Sequence, residues 1–522
     1  MPSPVASAET LDDPSPPRAE SSGPTADRRL VAALLGASAA FVVAFWTPLL
    51  GYGLMTDELL TAWVSSDGLL ETIERAQRHQ GNSPVYFALV WVWRNVAGSS
   101  EWILRLPSLV CTIAAAWHLF RLGAELDGER RLTGVVAAFV LVADTNVILR
   151  ATTARPYGLL LLLSVLSARA LARYLASGSW RSGFTWVLTA VASLAMTPFA
   201  APALLAHLVA LGDRGRGRHL TPLRSSGAIG HDPTQWRRRL PALFGLGLVV
   251  SLPMAPQVLA LSRRSDELVF SSLPGVGDLI AALVPVSLFA AVAVGVAVGG
   301  WRGRLRIADP VLRFVGAWAV GPAVVLFTVS NITGNSLWVD RYRVIAVPAV
   351  ALLVGLGVSR IGRGLGRAVA GTALVLVSLW SVTGFVGLQQ QGWREAVEWA
   401  RAETSGEPIV IALDSALVEL GDLALLDDPE WVPYLSGPIV HYPLEGDVNL
   451  LPQGPGDDIV AHQQRVIGDL AETSRTIVLI SRVTHRAPPD HLEAFRARLG
   501  AEGWTESSGP LVGPIQAFVF RR

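Results

Sequence analysis

The sequence predicts a polytopic α-helical membrane protein of about eleven transmembrane helices, carrying a C-terminal extracytoplasmic α/β domain. Composition is the first reason: 51% of the 522 residues are hydrophobic and 16% charged, with a mean hydropathy of +0.42, whereas soluble domains are about 25% charged. Apolar stretches of spanning length recur from residue 30 to residue 388. Past that point the pattern changes to one amphipathic helix and several short apolar runs, as in a soluble domain.

Taken in order, residues 1–28 are rich in Pro, Ser, Ala and acids, lack periodicity, and are expected to form a disordered cytoplasmic tail. A cleaved signal peptide fits badly, because the polar lead is long and acidic. Residues 30–50 are long enough to cross a bilayer, which takes about 20 apolar residues. Arg28 and Arg29 precede them and keep the N-terminus inside. Further spans are expected at 105–122, 132–150, 156–176, 183–197, 198–212, 240–260, 278–300, 313–330, 343–359 and 368–388. An odd number of spans leaves the C-terminus outside. The loops then assigned to the cytoplasm are Arg-rich, as in "GDRGRGRH" (212–219), "QWRRRL" (235–240), "WRGRLR" (301–306) and "SRIGRGLGR" (359–367). "GRGLGR" follows no strand and is a basic turn, not a phosphate loop.

The multi-span part covers 29–390, with a large first outer loop at 51–104. In that loop "SPVYFALVWVWRNVAG" (83–98) is short and aromatic, which suits a helix lying in the membrane interface. Over 391–522, "GWREAVEWARAE" (392–403) has helical period, while "PIVIALD" (408–414), "RTIVLISR" (475–482) and "QAFVFRR" (516–522) read as buried strands.

Several classes of function are excluded. A net charge of +1 and the lack of a basic stripe argue against nucleic acid. One cysteine, Cys111, forms no intrachain disulfide or thiolate cluster and is read as packing. No H-E-x-x-H, Walker or G-x-S-x-G pattern occurs, and "NIT" (331–333) is read as a chance sequon. Nothing demands a metal, although a divalent ion on a carboxylate pair stays open.

The candidate site is a set of ionisable residues on the outer side, where charge is costly unless it serves something. Asp57 and Glu58, in "LMTDELLTAW" (54–63), fit either the first turn of a helix capped by Thr56 or a general base for an acceptor hydroxyl. Arg105, Arg155, Arg341 and Arg343 stand at outer ends of spans, with Tyr342 between the last two. Singly each suits an interfacial anchor. Gathered opposite the carboxylates, they would suit a phosphate, which guanidinium binds by paired charge-assisted hydrogen bonds. His79 and Asn82 share the first loop and are further substrate-binding candidates.

The order of Asp57-Glu58, "SPVYFALVWVW", "SEWILRLPS", "ARPYGLLLLL" and "DRYRVIAVPAVALL" resembles the GT-C-fold glycosyltransferases of the protein O-mannosyltransferase superfamily. The bacterial members that use polyprenyl-phosphate sugars are nearest, and the all-Arg basic set suggests an actinobacterial chain. The likeness covers roughly residues 30 to 390. It implies that Asp57 is the base, with Glu58 beside it, and that Arg105, Arg155, Arg341 and Tyr342 meet the donor phosphate. Two departures stand out: Thr153 replaces an acid of many relatives, and Asn82-Ser83 replaces a His-Pro pair.

The implied reaction moves a hexose or pentose such as mannose from a polyprenyl-phosphate donor to a cell-envelope glycan, lipid or protein, with inversion, at the plasma membrane. A transporter or lipid flippase would be expected to place charges at the midplane of broken helices. An envelope-assembly scaffold would be expected to tolerate loss of Asp57.

Overall fold

A computed structural model describes residues 23–80, 84–128, 131–220, 235–255, 257, 259, 272–302, 309–362, 364–384, 391–453, 456–483 and 490–522. Most of the expected tail (1–22) and Asn82 lie outside these residues. Helix begins at Gly23, earlier than the tail boundary expected at 28.

Among the described residues, six helices are long and apolar enough to span: Asp27–Leu50, Glu101–Leu126, Tyr157–Ser177, Pro310–Thr333, Asp340–Ser359 and Gly364–Thr383. Two bent pairs, Arg131–Ala143 with Thr145–Ala151 and Val276–Leu283 with Val286–Gly299, bring this to eight if each pair is one span. The remaining expected spans fall on shorter helices, Trp180–Met196, Leu205–Gly215 and Gln235–Ser251. Pro198 and Pro202 explain the 3₁₀ segment Pro198–Leu204 between the first two, since proline cannot donate to an α-helical ladder.

Small residues let these helices approach closely. A Cβ on Gly158 would lie 2.4 Å from the Ser108 carbonyl, and one on Gly134 would lie 2.1 Å from that of Phe120. The first contact sets Tyr157–Ser177 against Glu101–Leu126, and the second packs Arg131–Ala143 on the same helix.

Within the first loop, helices Thr56–Val64, Leu69–Arg75 and Pro84–Ala97 lie over one end of the bundle. Pro84–Ala97 buries Tyr86, Phe87 and Val90 and exposes Val85, Leu89, Val92 and Val96. An exposed apolar row at helical spacing is the pattern of a helix lying on lipid.

The C-terminal sheet has five strands, β1 Val410–Leu413, β2 Asp447–Leu450, β3 Thr476–Arg482, β4 Thr505–Ser508 and β5 Ile515–Arg521, in the order β2-β1-β3-β5-β4. β1 is parallel to β2 and β3, while β5 is antiparallel to β3 and β4. The β3 run is buried on both faces, which is why it is apolar almost throughout. Ile477 and Leu479 pack on Leu470, Phe495 and Leu499. Val478 and Ile480 belong to the core that also holds Trp393, Tyr434, Leu59 and Trp63. The sheet and the first loop thus share one apolar core.

Candidate active site

Asp57 and Glu58 occupy the first turn of helix Thr56–Val64, whose N-cap is Met55, not the expected Thr56. Consecutive helical side chains diverge by about 100°, so the two carboxylates face different surroundings. Glu58 has no exposed surface. It accepts from Arg105 Nε (2.8 Å), Arg105 Nη2 (2.6 Å), Met55 N (3.0 Å) and Ala154 N (2.7 Å). Four donors saturate a carboxylate. Glu58, with no exposed surface, therefore ties its helix to the Arg155 turn, while Asp57 is the open carboxylate of the pair.

Arg105 is engaged in the same way. Besides Glu58, its Nη1 donates to the carbonyls of Leu49, Leu50 and Tyr52, and its Nη2 to that of Gly53. All three nitrogens are engaged and the residue is 2% exposed, so its place is in the fold, not on a donor phosphate.

Asp57 keeps 40% of its side chain open, with Arg155 Nε at 3.9 Å and Arg341 Nη1 at 3.4 Å from Oδ2. Residues separated by about a hundred positions and by nearly three hundred meet here. Burial pushes the Asp57 carboxyl up, but the charges of Arg155, Arg341 and Arg150 outweigh it and hold the group below its ordinary value of 3.8. Arg155 also donates from Nη1 to the Asp57 carbonyl (3.1 Å), and its own carbonyl accepts from Ser108 Oγ at 2.9 Å. Glu58 holds the same turn through Ala154, so Asp57 and Arg155 are placed by one set of bonds.

Arg341 packs its guanidinium 5.3 Å from the Tyr342 ring, and Tyr342 stacks on Phe199 at 4.0 Å. One residue that sequence reasoning missed joins the group. Arg150 lies 5.2 Å from the Tyr157 ring, and its charge acts on Asp57. Its signal was helical spacing: Arg150 ends the helix that feeds the "ATTARPY" turn.

Two other candidates go elsewhere. His79 is 4% exposed and packs on Tyr434 (5.3 Å), Trp431 (4.7 Å) and Trp63 (5.1 Å). These rings form the seam between the first loop and the C-terminal domain, apart from Asp57. Arg343 pairs with Asp340 and lies 4.5 Å from the Trp338 ring, contacts that turn it to its own segment and not to Asp57. Among the described residues, no three His, Cys, Asp or Glu side chains converge as a metal site.

A family profile described as dolichyl-phosphate-mannose-protein mannosyltransferase matches residues 81–223, a stretch that contains Arg105, Arg150 and Arg155. A search of curated protein sequences finds no match. Among solved structures, the crystal structure of ArnT from Cupriavidus metallidurans bound to undecaprenyl phosphate is similar, with a TM-score of 0.52 at 13% identity over 94% of this chain and 97% of that one. Its apo state gives 0.50 at 12% identity over the same shares. The crystal structure of the Archaeoglobus fulgidus oligosaccharyltransferase in complex with Zn and sulfate gives 0.50 at 12% identity, over 86% of this chain and 67% of that one.

Proposed function

We propose, from the GT-C fold that this chain shares with those structures, that it is a membrane glycosyltransferase using a polyprenyl-phosphate sugar. One observation carries the reading: the open Asp57 carboxylate flanked by Arg155 and Arg341. The match to a mannosyltransferase family profile over residues 81–223 and the likeness to a structure bound to undecaprenyl phosphate support the donor class.

In this reading Asp57 takes the proton of an acceptor hydroxyl as its oxygen attacks the anomeric carbon. The new C–O bond forms while the bond from that carbon to the phosphate oxygen breaks, the electron pair leaving with the lipid phosphate. Arg155, Arg341 and Arg150, with Tyr342 beside them, offset the charge that grows on the leaving group. A single displacement inverts the anomeric centre. The sugar is a hexose or pentose and the acceptor a cell-envelope glycan, lipid or protein. The Arg-rich loops support an orientation with the N-terminus in the cytoplasm and the site and the 391–522 domain on the outer face of the plasma membrane.

Wild type and Asp57→Asn, in lipid nanodiscs with radiolabelled polyprenyl-phosphate sugars and envelope extract, test this by release of free polyprenyl phosphate. Release by wild type alone supports the reading. Equal release by the variant, or none from any donor, overturns it and favours a transporter or scaffold.

A further inference from the structure

The segment that leads into Asp57 is held by residues far along the chain. Helix Thr56–Val64 has nine residues and starts after a stretch without regular structure. Its first N–H groups have no partner inside the helix, and the usual local solution is a Ser, Thr, Asp or Asn cap. Here the partners come from elsewhere. Leu54 N donates to Tyr442 Oη at 2.7 Å, and Thr56 N donates to Gln391 Oε1 at 2.7 Å. Thr56 Oγ1 donates to the same Gln391 oxygen (3.1 Å) and accepts from Trp393 Nε1 (3.1 Å). Only the N–H of Met55, between them, is satisfied locally, by Glu58.

The distant partners are themselves anchored. Trp393 is fully buried in the shared core. Gly392 has φ +38°, and a Cβ there would stand 2.3 Å from the Val512 carbonyl, so the connector lies directly against the segment that joins β4 to β5. Tyr442 Oη also donates to Glu101, which pairs with Arg394. A continuous path therefore runs from the segment between β4 and β5 through Gly392, Gln391 and Trp393 to Thr56, whose neighbour is Asp57.

We propose that Gln391, Trp393 and Tyr442 are positioning residues that fix the direction of the Asp57 carboxylate, making the C-terminal α/β domain part of the turnover machinery. This rests on Asp57 being the base. Reacting groups must meet at about 3–3.5 Å, and a misplacement of about 1 Å costs up to about 100-fold in rate. A base carried on a nine-residue helix gains its direction from whatever holds the start of that helix.

The test compares wild type, Asp57→Asn, Gln391→Met, Thr56→Val and Thr56→Ser in nanodiscs, measuring kcat, donor KM and thermal midpoint with the donor that wild type turns over. Gln391→Met keeps side-chain length and loses the acceptor; Thr56→Val loses the hydroxyl, which Thr56→Ser restores. The expected result is a kcat lowered roughly tenfold or more by Gln391→Met and Thr56→Val, an unchanged donor KM, and recovery in Thr56→Ser. Wild-type kcat in both loss variants, with Asp57→Asn inactive, overturns the positioning role and leaves the base intact. Full turnover by Asp57→Asn overturns the base reading itself. If Gln391→Met does not fold, the Thr56 pair decides: a loss in Val without recovery in Ser rejects the proposal.

Discussion

Glu58 and Arg105 form a bidentate pair at 2.8 and 2.6 Å with 0% and 2% of their side chains exposed. Charges removed from water in this way are tolerable only when every lone pair and proton is used. That condition holds here, and it makes the pair a fastener between the first loop and the span that follows. Removing one partner strands the other, so Arg105→Leu is expected to destabilise the protein by about 3–5 kcal/mol. Asp57→Asn, at a half-open carboxylate, should cost less stability than Arg105→Leu while lowering kcat by roughly 10²–10⁴-fold. Thermal unfolding in nanodiscs beside turnover separates the two neighbours; equal stability loss in both variants would contradict the division of labour.

In the proposed reaction, with Asp57 as base, Arg341 is expected to set the acid limb of activity. Burial raises the Asp57 carboxyl, but the charges of Arg155, Arg341 and Arg150 outweigh it, so it ionises below 3.8. A depressed carboxylate contributes stability above its unfolded value, lost as pH falls through the folded value. The base is likewise competent until pH drops through that same value. Arg341→Gln removes one stabilising charge, so the acid limb of kcat/KM should move to higher pH. A limb that stays in place while the rate falls would show that Arg341 acts on the donor and not on Asp57.

The long apolar segments were legible because membrane spans repeat one simple pattern over some twenty residues. β1, β3 and β5 were legible for a similar reason, being short runs buried on both faces. β2 and β4 were not: "DVNL" is half exposed and "TESS" is polar, each held by one neighbouring strand and not by its own hydrophobicity. In the site, sequence order found Asp57, Arg155 and Arg341, which the fold brings together. It could not separate Glu58 from Asp57, because helical phase decides which of two adjacent acids is buried, and that phase is set by contacts to Arg105 and Ala154. Arg150 was missed because it lies inside a predicted span, and the packing of His79 was not legible because its aromatic partners Trp431 and Tyr434 are some 350 residues away.

Gly158 holds the Arg155 turn against the neighbouring span. A Cβ there would meet backbone, 2.4 Å from the Ser108 carbonyl and 2.9 Å from its Cα. Backbone cannot rotate away as a side chain can, so Gly158→Ala should force the helices apart at a cost of about 1–3 kcal/mol. The same shift strains the 2.9 Å bond from Ser108 Oγ to the Arg155 carbonyl, and donor KM should rise as Arg155 moves. Gly316→Ala is the control, since nothing lies within 4 Å of its Cβ position; it should keep wild-type stability or gain a little. Equal behaviour of the two variants would mean that Tyr157–Ser177 has slack.

His79 makes the seam between the first loop and the C-terminal domain sensitive to acid. Burial among Trp63, Trp431 and Tyr434 lowers its pKa below 6.5, and the charges of Arg78 and Arg75 add to this against backbone hydrogen bonds at Arg75 and Glu430. The unfolded chain takes up a proton at its ordinary value while the folded chain resists. The stability given by the neutral ring is therefore complete above 6.5 and is lost as pH falls through the depressed value. The thermal midpoint of wild type should drop by several degrees between about pH 7.5 and about pH 5. His79→Phe keeps a ring in the aromatic cluster and has no proton to bind, so its midpoint should fall less over that range, the remaining fall reflecting other histidines whose pKa burial lowers, such as His441. A midpoint that falls equally in both proteins would place the acid sensitivity outside this seam.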